Sequence, residues 1–322
     1  MKIRIGTRGS ALALWQANHT KARLEATRPG TEVELHIIKT KGDKILDVAL
    51  AKVGGKGLFV TELEEALARG DVDLAVHSMK DVPAQLHVGL ELVAVSARED
   101  AADALCVRSG GQSPLVGQSP PSLPVGKLVV LPQGARVGTS SLRRRCQLLA
   151  ARPDLQIELL RGNVDTRLRK LDEGGYDAIV LAAAGLVRLG LAARITERLP
   201  FELSLPAVGQ GVLGFEARAD DAETIALVRE ALHDADGADA ASAERAFLAR
   251  IGGGCQTPLA AHARVDGADL ALVARVGTPD GKTILEDRRR GHRATAAALG
   301  AAAAEALLAQ GADAILAALE GA

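Results

Sequence analysis

The stretch Arg136–Arg167 writes one structural unit twice, and it limits the fold more than any other part of the chain. Apolar Val137 ends a short strand. Gly138, Thr139, Ser140 and Ser141 form a turn, and Leu142, Arg143, Arg144 and Arg145 open a helix. Apolar Ile157–Leu160 then leads through Arg161, Gly162, Asn163, Val164, Asp165 and Thr166 to Arg167. Strand, glycine-containing turn and helix make an α/β unit, and Ser or Thr at the turn is a natural helix N-cap. The helix N-termini offer unpaired N–H groups and the positive end of a dipole to anions. Arg143, Arg144, Arg161 and Arg167 add planar forks that match carboxylates or phosphates. This pattern predicts a small ligand carrying several anionic groups. A solvated arginine face on a surface helix is the plainer alternative.

The same unit opens the chain. Lys2–Ile5 reads as a strand, Gly6, Thr7, Arg8, Gly9 and Ser10 as a turn, and Ala11–Ala26 as a helix. Ile5-Gly6-Thr7 answers Val137-Gly138-Thr139. Val33–Ile38 answers Ile157–Leu160. Gly70–Val76, with Val72, Leu74 and Val76 alternating, answers Gly175–Leu181. Three matches in one order predict an internal duplication: two α/β domains, each with a ligand-facing turn after its first strand.

At 322 residues there is room for two domains or three. The 39 basic and 40 acidic residues leave a net charge of -1, without the basic excess of a nucleic-acid binder, and 2% aromatics supply few platforms for stacking bases. Three cysteines, odd in number and widely spaced, predict a reducing compartment. No cysteine or histidine spacing predicts a metal site. Met1–Arg8 lacks an apolar signal core and no uncharged apolar run reaches bilayer length, so the expectation is a cytoplasmic protein.

The strand Asp73–Val76 runs into His77-Ser78-Met79-Lys80-Asp81-Val82-Pro83. Pro83 stops any helix there, which leaves Lys80 and Asp81 at the carboxyl end of a strand, where α/β sheets bind ligands. His77 reads as a hydrogen-bonded structural residue. Thr40–Gly57, with Lys41, Lys44, Lys52 and Lys56 among glycines, reads as a mobile loop near the site or an ordinary surface loop. Ser109–Gly134 reads as a surface loop or insertion, and Leu205–Gly214 as a crossover. The last part changes grammar. A helix Ala240–Ile251 ends at Gly252-Gly253-Gly254. Three strands follow, Leu259–Val265, Leu270–Val276 and Thr283–Arg289, with Asp-Gly hairpin signals at Asp266 and Asp280, and a closing helix Ala294–Gln310. Cys106 and Cys146 fall on apolar faces and read as core. Cys255, after three glycines, reads either as an accessible thiol or as an inert loop cysteine.

Together these segments resemble the hydroxymethylbilane synthase, or porphobilinogen deaminase, family over nearly the whole chain. The motifs that carry the resemblance are Thr7-Arg8-Gly9-Ser10 with Leu14-Trp15-Gln16, Lys52–Phe59, His77–Pro83 and Gly138–Arg144. They continue with Arg161–Arg167, Ala184–Leu191, Pro206–Gly211 and Gly254-Cys255-Gln256. Gly9 and Arg145 depart from the family pattern, and the 109–134 segment is longer than usual.

The resemblance implies an α/β fold of two periplasmic-binding-protein-like α/β domains with mixed sheets, plus a small C-terminal α+β domain with a three-stranded antiparallel sheet. The implied domains are 1–98 with 212–231, then 99–211, then 232–322. The implied activity condenses four porphobilinogen molecules head to tail with loss of ammonia, then releases the linear tetrapyrrole hydroxymethylbilane with water. The primer is a dipyrromethane cofactor held as a thioether on Cys255. Asp81 is the implied catalytic carboxylate, stabilising a cationic azafulvene. Lys80, Asp81, Ser141, Arg143, Arg144, Arg161, Arg167 and Arg188 are implied for the cofactor. Arg8, Ser10, Gln16, Lys52, Lys56, Phe59 and Gln210 are implied for the substrate. A monomer is implied, with no metal, no nucleic acid and no membrane. The rival reading is a non-catalytic small-anion binding protein built on the same cleft.

Overall fold

The computed structural model describes residues 1–44, 60–108, 128, 131–254 and 256–320. The first sheet has the order β2-β1-β3-β10-β4, from β1 (Lys2–Thr7), β2 (Glu32–Ile37), β3 (Leu74–Ser78), β4 (Leu90–Val95) and β10 (Leu213–Arg218). β1 runs parallel to β2 and β3, and β10 lies antiparallel between β3 and β4. The second sheet has the order β7-β6-β8-β5-β9, from β5 (Asp103–Val107), β6 (Arg136–Gly138), β7 (Gln156–Glu158), β8 (Ala178–Ala182) and β9 (Glu197–Leu199). β6 runs parallel to β7 and β8, and β5 lies antiparallel between β8 and β9. The two sheets therefore share one topology, and β1, β2 and β3 stand where β6, β7 and β8 stand. The duplication read from three sequence matches is present in the fold.

The helices follow the same rhythm. α1 (Ala11–Thr27) follows β1, with Ser10 as N-cap accepting from the Ala13 amide at 3.3 Å. α2 (Thr61–Ala68) precedes β3. α3 (Leu142–Ala151) follows β6, with Ser141 Oγ accepting from the Arg144 amide at 3.4 Å. α4 (Val164–Asp172) and α5 (Ala183–Arg188) follow β7 and β8. The two cores are distinct: Ile3, Ile5, Leu74 and Phe215 in the first, Leu105, Val137, Leu148 and Val180 in the second, all fully buried.

Two stretches join the sheets side by side. The first, between β4 and β5, is bonded to the second, between β9 and β10, by Glu99 N to Gly211 O at 3.0 Å and Arg98 Nη1 to Gln210 O at 2.9 Å, and to the start of β10 by Ser96 N to Leu213 O at 3.0 Å. Gly211 holds φ +87, and a Cβ there would collide with the Glu99 carbonyl oxygen. Only glycine lets the two strands run this close.

α6 (Ala222–Leu232) packs behind the first sheet, against α1 and β4. The rest is a smaller unit. α7 (Ala235–Ile251) and α8 (Ala296–Ala309) pack on the antiparallel sheet of β11 (Leu259–Asp266), β12 (Asp269–Gly277) and β13 (Ile284–His292). α9 (Ala312–Glu320) closes the described chain. Phe247, Leu270, Val276 and Leu307 centre its core.

Some expectations change. The helix expected at Ala240 begins at Ala235. Asp234 caps it through the Gly237 amide at 2.6 Å, and Gly237, a turn signal in sequence, is needed because a Cβ would strike the Ser96 carbonyl. The closing helix expected at Ala294–Gln310 is present as Ala296–Ala309, and a second helix, unread in sequence, follows it after a bend of 81° at Gly311, whose φ is +96. No single helix among the described residues is long and apolar enough to cross a membrane. β9 was not read from sequence because Glu197-Arg198-Leu199 is an edge strand, paired with β5 alone, and carries neither an apolar run nor a glycine turn into a helix. The segment read as a surface insertion from Ser109 to Gly134 is not all surface. Its described end places Leu128 and Leu131 in the second core, and Arg152 donates to both carbonyls, at 3.1 Å and 3.4 Å. Residues 109–127 lie outside the described residues, as do 45–59 of the lysine-rich loop.

Candidate active site

The carboxyl ends of the parallel strands of both sheets face one cavity of about 1600 Å³, larger than the usual small-molecule pocket. Such strand ends are where α/β sheets gather ligand-binding residues. From the first sheet come Arg8 and Ser10, after β1, and Lys80 and Asp81, after β3. The turn Met79–Asp81 is a single 3₁₀ turn. It is fixed from behind: Met79 N donates to Val212 O at 2.9 Å, and Arg245 Nη2 donates to Pro83 O at 3.0 Å and Ala84 O at 3.2 Å. α7 thus grips the loop that carries Asp81.

From the second sheet come Ser141, Arg143 and Arg144 at the start of α3, Arg161 and Arg167 around the start of α4, and Arg188 at the end of α5. Gly162, at φ +116, lets the chain turn tightly between Arg161 and α4, and its carbonyl accepts from Arg167 Nε at 2.7 Å. Gly252, Gly253, Gly254, Gln256 and Thr257 form a further part of the wall. Cys255 itself lies outside the described residues, as do Lys52, Lys56 and Phe59.

Three predicted residues have internal partners that the sequence did not reveal. Arg143 and Arg144 are buried and share Asp103. Arg143 Nη1 donates to Asp103 Oδ2 at 2.7 Å, and Arg144 Nη2 donates to Asp103 Oδ1 at 2.7 Å. Arg143 also reaches Leu205 O at 2.7 Å, and Arg144 Nη1 reaches Val180 O at 2.9 Å. Gln210 is fully buried, and its amide donates to Ala101 O at 2.7 Å and Asp103 Oδ1 at 3.0 Å. Ser204 Oγ completes the set on Asp103 at 2.7 Å. These arginines are pre-oriented by one internal carboxylate while still lining the cavity. Gln16 does not line it: it is buried and donates to Ser78 Oγ at 2.8 Å, and Ser78 stands in the wall.

The electrostatics follow from burial. Burial alone would raise the Asp103 pKa, but the Arg143 and Arg144 guanidinium groups outweigh it and hold Asp103 well below the usual carboxylate range. Burial lowers Lys80, half-buried in the cavity wall, to about 8, against the raising pull of Asp81. Burial lowers Arg167 to about 10. Arg144 pushes it further down, Asp81 pulls it up and Arg161 pushes it down again. Arginines that depress one another form a site short of negative charge. A ligand or cofactor bearing several carboxylates fits that donor set, and Asp81 is a carboxylate placed among it.

Sequence reasoning missed Asp103, Ser204, Arg98, Glu244 and Arg245. Asp103 had one signal, an acidic residue heading the apolar strand Ala104–Val107. His77 is as read from sequence: its Nε2 lies 2.9 Å from Glu216 Oε2, both buried. Arg145 is exposed and donates to Pro279 O at 3.2 Å. Cys106 and Cys146 are buried, and burial pushes each thiol up to about 11. Among the described residues no cluster of His, Cys, Asp and Glu could hold a metal ion.

Comparison with known proteins identifies the family. Residues 3–226 match the family described as porphobilinogen deaminase, dipyromethane cofactor binding domain, and residues 238–309 match porphobilinogen deaminase, C-terminal domain. The chain is 56% identical over 318 residues to the porphobilinogen deaminase of Syntrophotalea carbinolica, covering 99% of this chain and 96% of that one. It is 54% identical over 315 residues to that of Trichlorobacter lovleyi, covering 98% and 96%. Among solved structures it is similar to the probable amino-acid ABC transporter extracellular-binding protein ytmK from Bacillus subtilis, at 11% identity and a TM-score of 0.41, covering 72% of this chain and 90% of that one. The chain belongs to the porphobilinogen deaminase family, and residues 3–226 are its dipyrromethane cofactor-binding domain.

Proposed function

We propose that the cavity joins four porphobilinogen molecules head to tail, each with loss of ammonia, and releases hydroxymethylbilane by hydrolysis. The observation that carries this is the meeting of Asp81, the arginine array and the wall formed by Gly254 and Gln256 in one cavity. Family membership supports the same reading. A dipyrromethane held on Cys255 supplies the pyrrole carbon to which units are added.

The chain's own residues divide the work. Lys80, Arg143, Arg144, Arg161, Arg167, Arg188 and Ser141 hold the carboxylates of the bound pyrroles, with Arg8 and Ser10 serving the incoming substrate and the growing chain. Asp103 keeps the first two guanidinium groups aimed and charged. Asp81 stabilises positive charge on the substrate's pyrrole N–H side as ammonia departs, and can pass a proton to the leaving amine. The half-buried setting of Asp81 strengthens both effects relative to water.

Three domains, 1–98 with 212–231, 99–211 and 232–322, fit the sheet membership of the strands. Work as a monomer in the cytoplasm completes the proposal, and the free thiols of Cys106 and Cys146 are in keeping with a reducing compartment. The test is ammonia release and porphobilinogen consumption by purified protein, with Asp81→Asn alongside. Consumption by the parent, slowed by about 10²–10⁴ in Asp81→Asn, is expected. Equal rates in both would overturn the role of Asp81.

A further inference from the structure

Trp15 is the single tryptophan of the chain, and it is not among the residues lining the cavity. It sits on α1, which begins beside Arg8 and Ser10. Its ring stacks on His19, centroids 5.1 Å apart and planes within 5°. The guanidinium carbon of Arg188 lies 5.9 Å from the indole centroid, within cation–π range. Trp15 belongs to the first sheet's helices and Arg188 to the second's, so the pair spans the boundary between the two halves. Arg188 Nη2 also donates to Gly211 O at 2.7 Å, in the stretch that returns to the first sheet. Beside the pair, Leu12 of α1 faces Gly185 of α5, where an added Cβ would sit 3.6 Å from Leu12 Cδ2. Burial lowers the Arg188 pKa, with the Glu99 charge opposing it, so this cation has given up water on its way into the wall. Indole and carbonyl replace that water.

We propose that Trp15 is a positioning residue for Arg188: the indole face and the Gly211 carbonyl together hold the guanidinium in the cavity wall at the boundary of the two α/β halves. The proposal rests on the reading of Arg188 as a carboxylate-binding residue. One hydrogen bond alone leaves the guanidinium free to rotate about it. The aromatic face removes that freedom, so the strength with which Arg188 meets a carboxylate depends on Trp15. Because Trp15 is the only indole, its emission reports the contact directly.

The experiment uses the full-length enzyme with its cofactor and the variants Trp15→Leu, Trp15→Phe and Arg188→Met. Trp15→Leu should raise the porphobilinogen KM by about threefold to thirtyfold with little change in kcat, the span of a cation–π contact from exposed to desolvated settings. Trp15→Phe, which keeps an aromatic face, should recover most of the loss. Arg188→Met, with Trp15 intact, should change the wavelength or intensity of indole emission in the absence of substrate. An unchanged KM in Trp15→Leu, a loss in kcat alone, equal defects in Leu and Phe, or emission of Arg188→Met superimposable on the parent would each overturn the proposal. If Trp15→Leu does not fold, the emission of Arg188→Met decides. A parent enzyme that consumes no porphobilinogen would overturn the functional reading instead, and the emission result distinguishes the two failures.

Discussion

Asp103 grips Arg144 with one oxygen at two points, 3.0 Å from Nε and 2.7 Å from Nη2, and all of these groups are buried. The same carboxylate serves Arg143, Ser204 and Gln210. One strand-end residue therefore sets the positions of two cavity arginines and ties them to the stretch between β9 and β10.

Asp103→Asn should destabilise the protein by about 3–5 kcal/mol at neutral pH, because two buried guanidinium groups lose their counter-charge. The pH dependence has a definite sign. Folding lowers the Asp103 pKa, so its stabilising effect is complete above the ordinary carboxylate value near 4 and fades as pH falls toward the lower folded value. Urea unfolding of parent and variant should show a gap that is wide at pH 7 and narrows in acid. A gap independent of pH would contradict the charged pairing.

Lys80 offers the opposite case. Burial lowers its pKa to about 8, below the unfolded value of about 10.4. Its charge is fully present only below about 8, so the porphobilinogen KM should climb as pH passes that point. Lys80→Met should remove that limb from the profile. The same depression costs stability below about 8, relieved as pH rises toward 10. The variant should be more stable than the parent at pH 7 and lose that advantage in alkali. Steady-state assays and melts from pH 6.5 to about 10 read both effects.

Much of this was legible in the chain. The three matched segments named the strands that carry the shared topology, because strand, glycine and helix are written locally by alternation and turn chemistry. The Asp266-Gly267 and Asp280-Gly281 hairpins were readable for the same reason: Gly267 and Gly281 take φ +63 and +73. What was not readable is long-range. Nothing near Arg143 in sequence announces Asp103, forty residues away, or Gln210 on the second linking stretch. The start of α7 was hidden because Gly237 answers to a tertiary contact with Ser96 rather than to helix propensity. Leu128 and Leu131 looked like scattered apolar residues in a proline-rich loop until the core they fill was visible.

Glu244 carries a third prediction. It is fully buried on α7 and accepts from Arg98 Nη2 at 2.7 Å, Gly209 N at 2.6 Å and Ala263 N at 2.7 Å. It thereby fastens both linking stretches to the C-terminal unit. Burial raises its pKa, and Arg98 opposes that shift. Glu244→Ala should cost about 3–5 kcal/mol, since Arg98, which keeps only the Gln210 carbonyl, loses its counter-charge and the Gly209 and Ala263 amides lose their acceptor. Arg98→Ala in the Glu244→Ala background should cost little more, and thermal melts of the double-mutant cycle measure that coupling. Additive losses would show that the pair does not act as a unit.

Asp81→Asn keeps the shape of the side chain and removes its charge. Turnover should fall by about 10²–10⁴, the range for a positioned acid or base. An already attached cofactor should remain on the protein, and Asp81→Glu should keep part of the activity. Ammonia release and intact mass, read on the same samples, separate a chemical defect from a loading defect.

The central claim is that Cys255 anchors the dipyrromethane in the cavity that Asp81 and the arginines line. The direct measurement is the intact mass of the purified active chain, followed by peptide mapping, for the parent and for Cys255→Ser. The buried thiols of Cys106 and Cys146, held near 11, are poor nucleophiles at neutral pH. The account predicts an excess mass matching a covalent dipyrrole, located on the Cys255 peptide and lost together with activity in Cys255→Ser. An adduct on Cys106 or Cys146, or fully active enzyme with an unmodified Cys255, would contradict it.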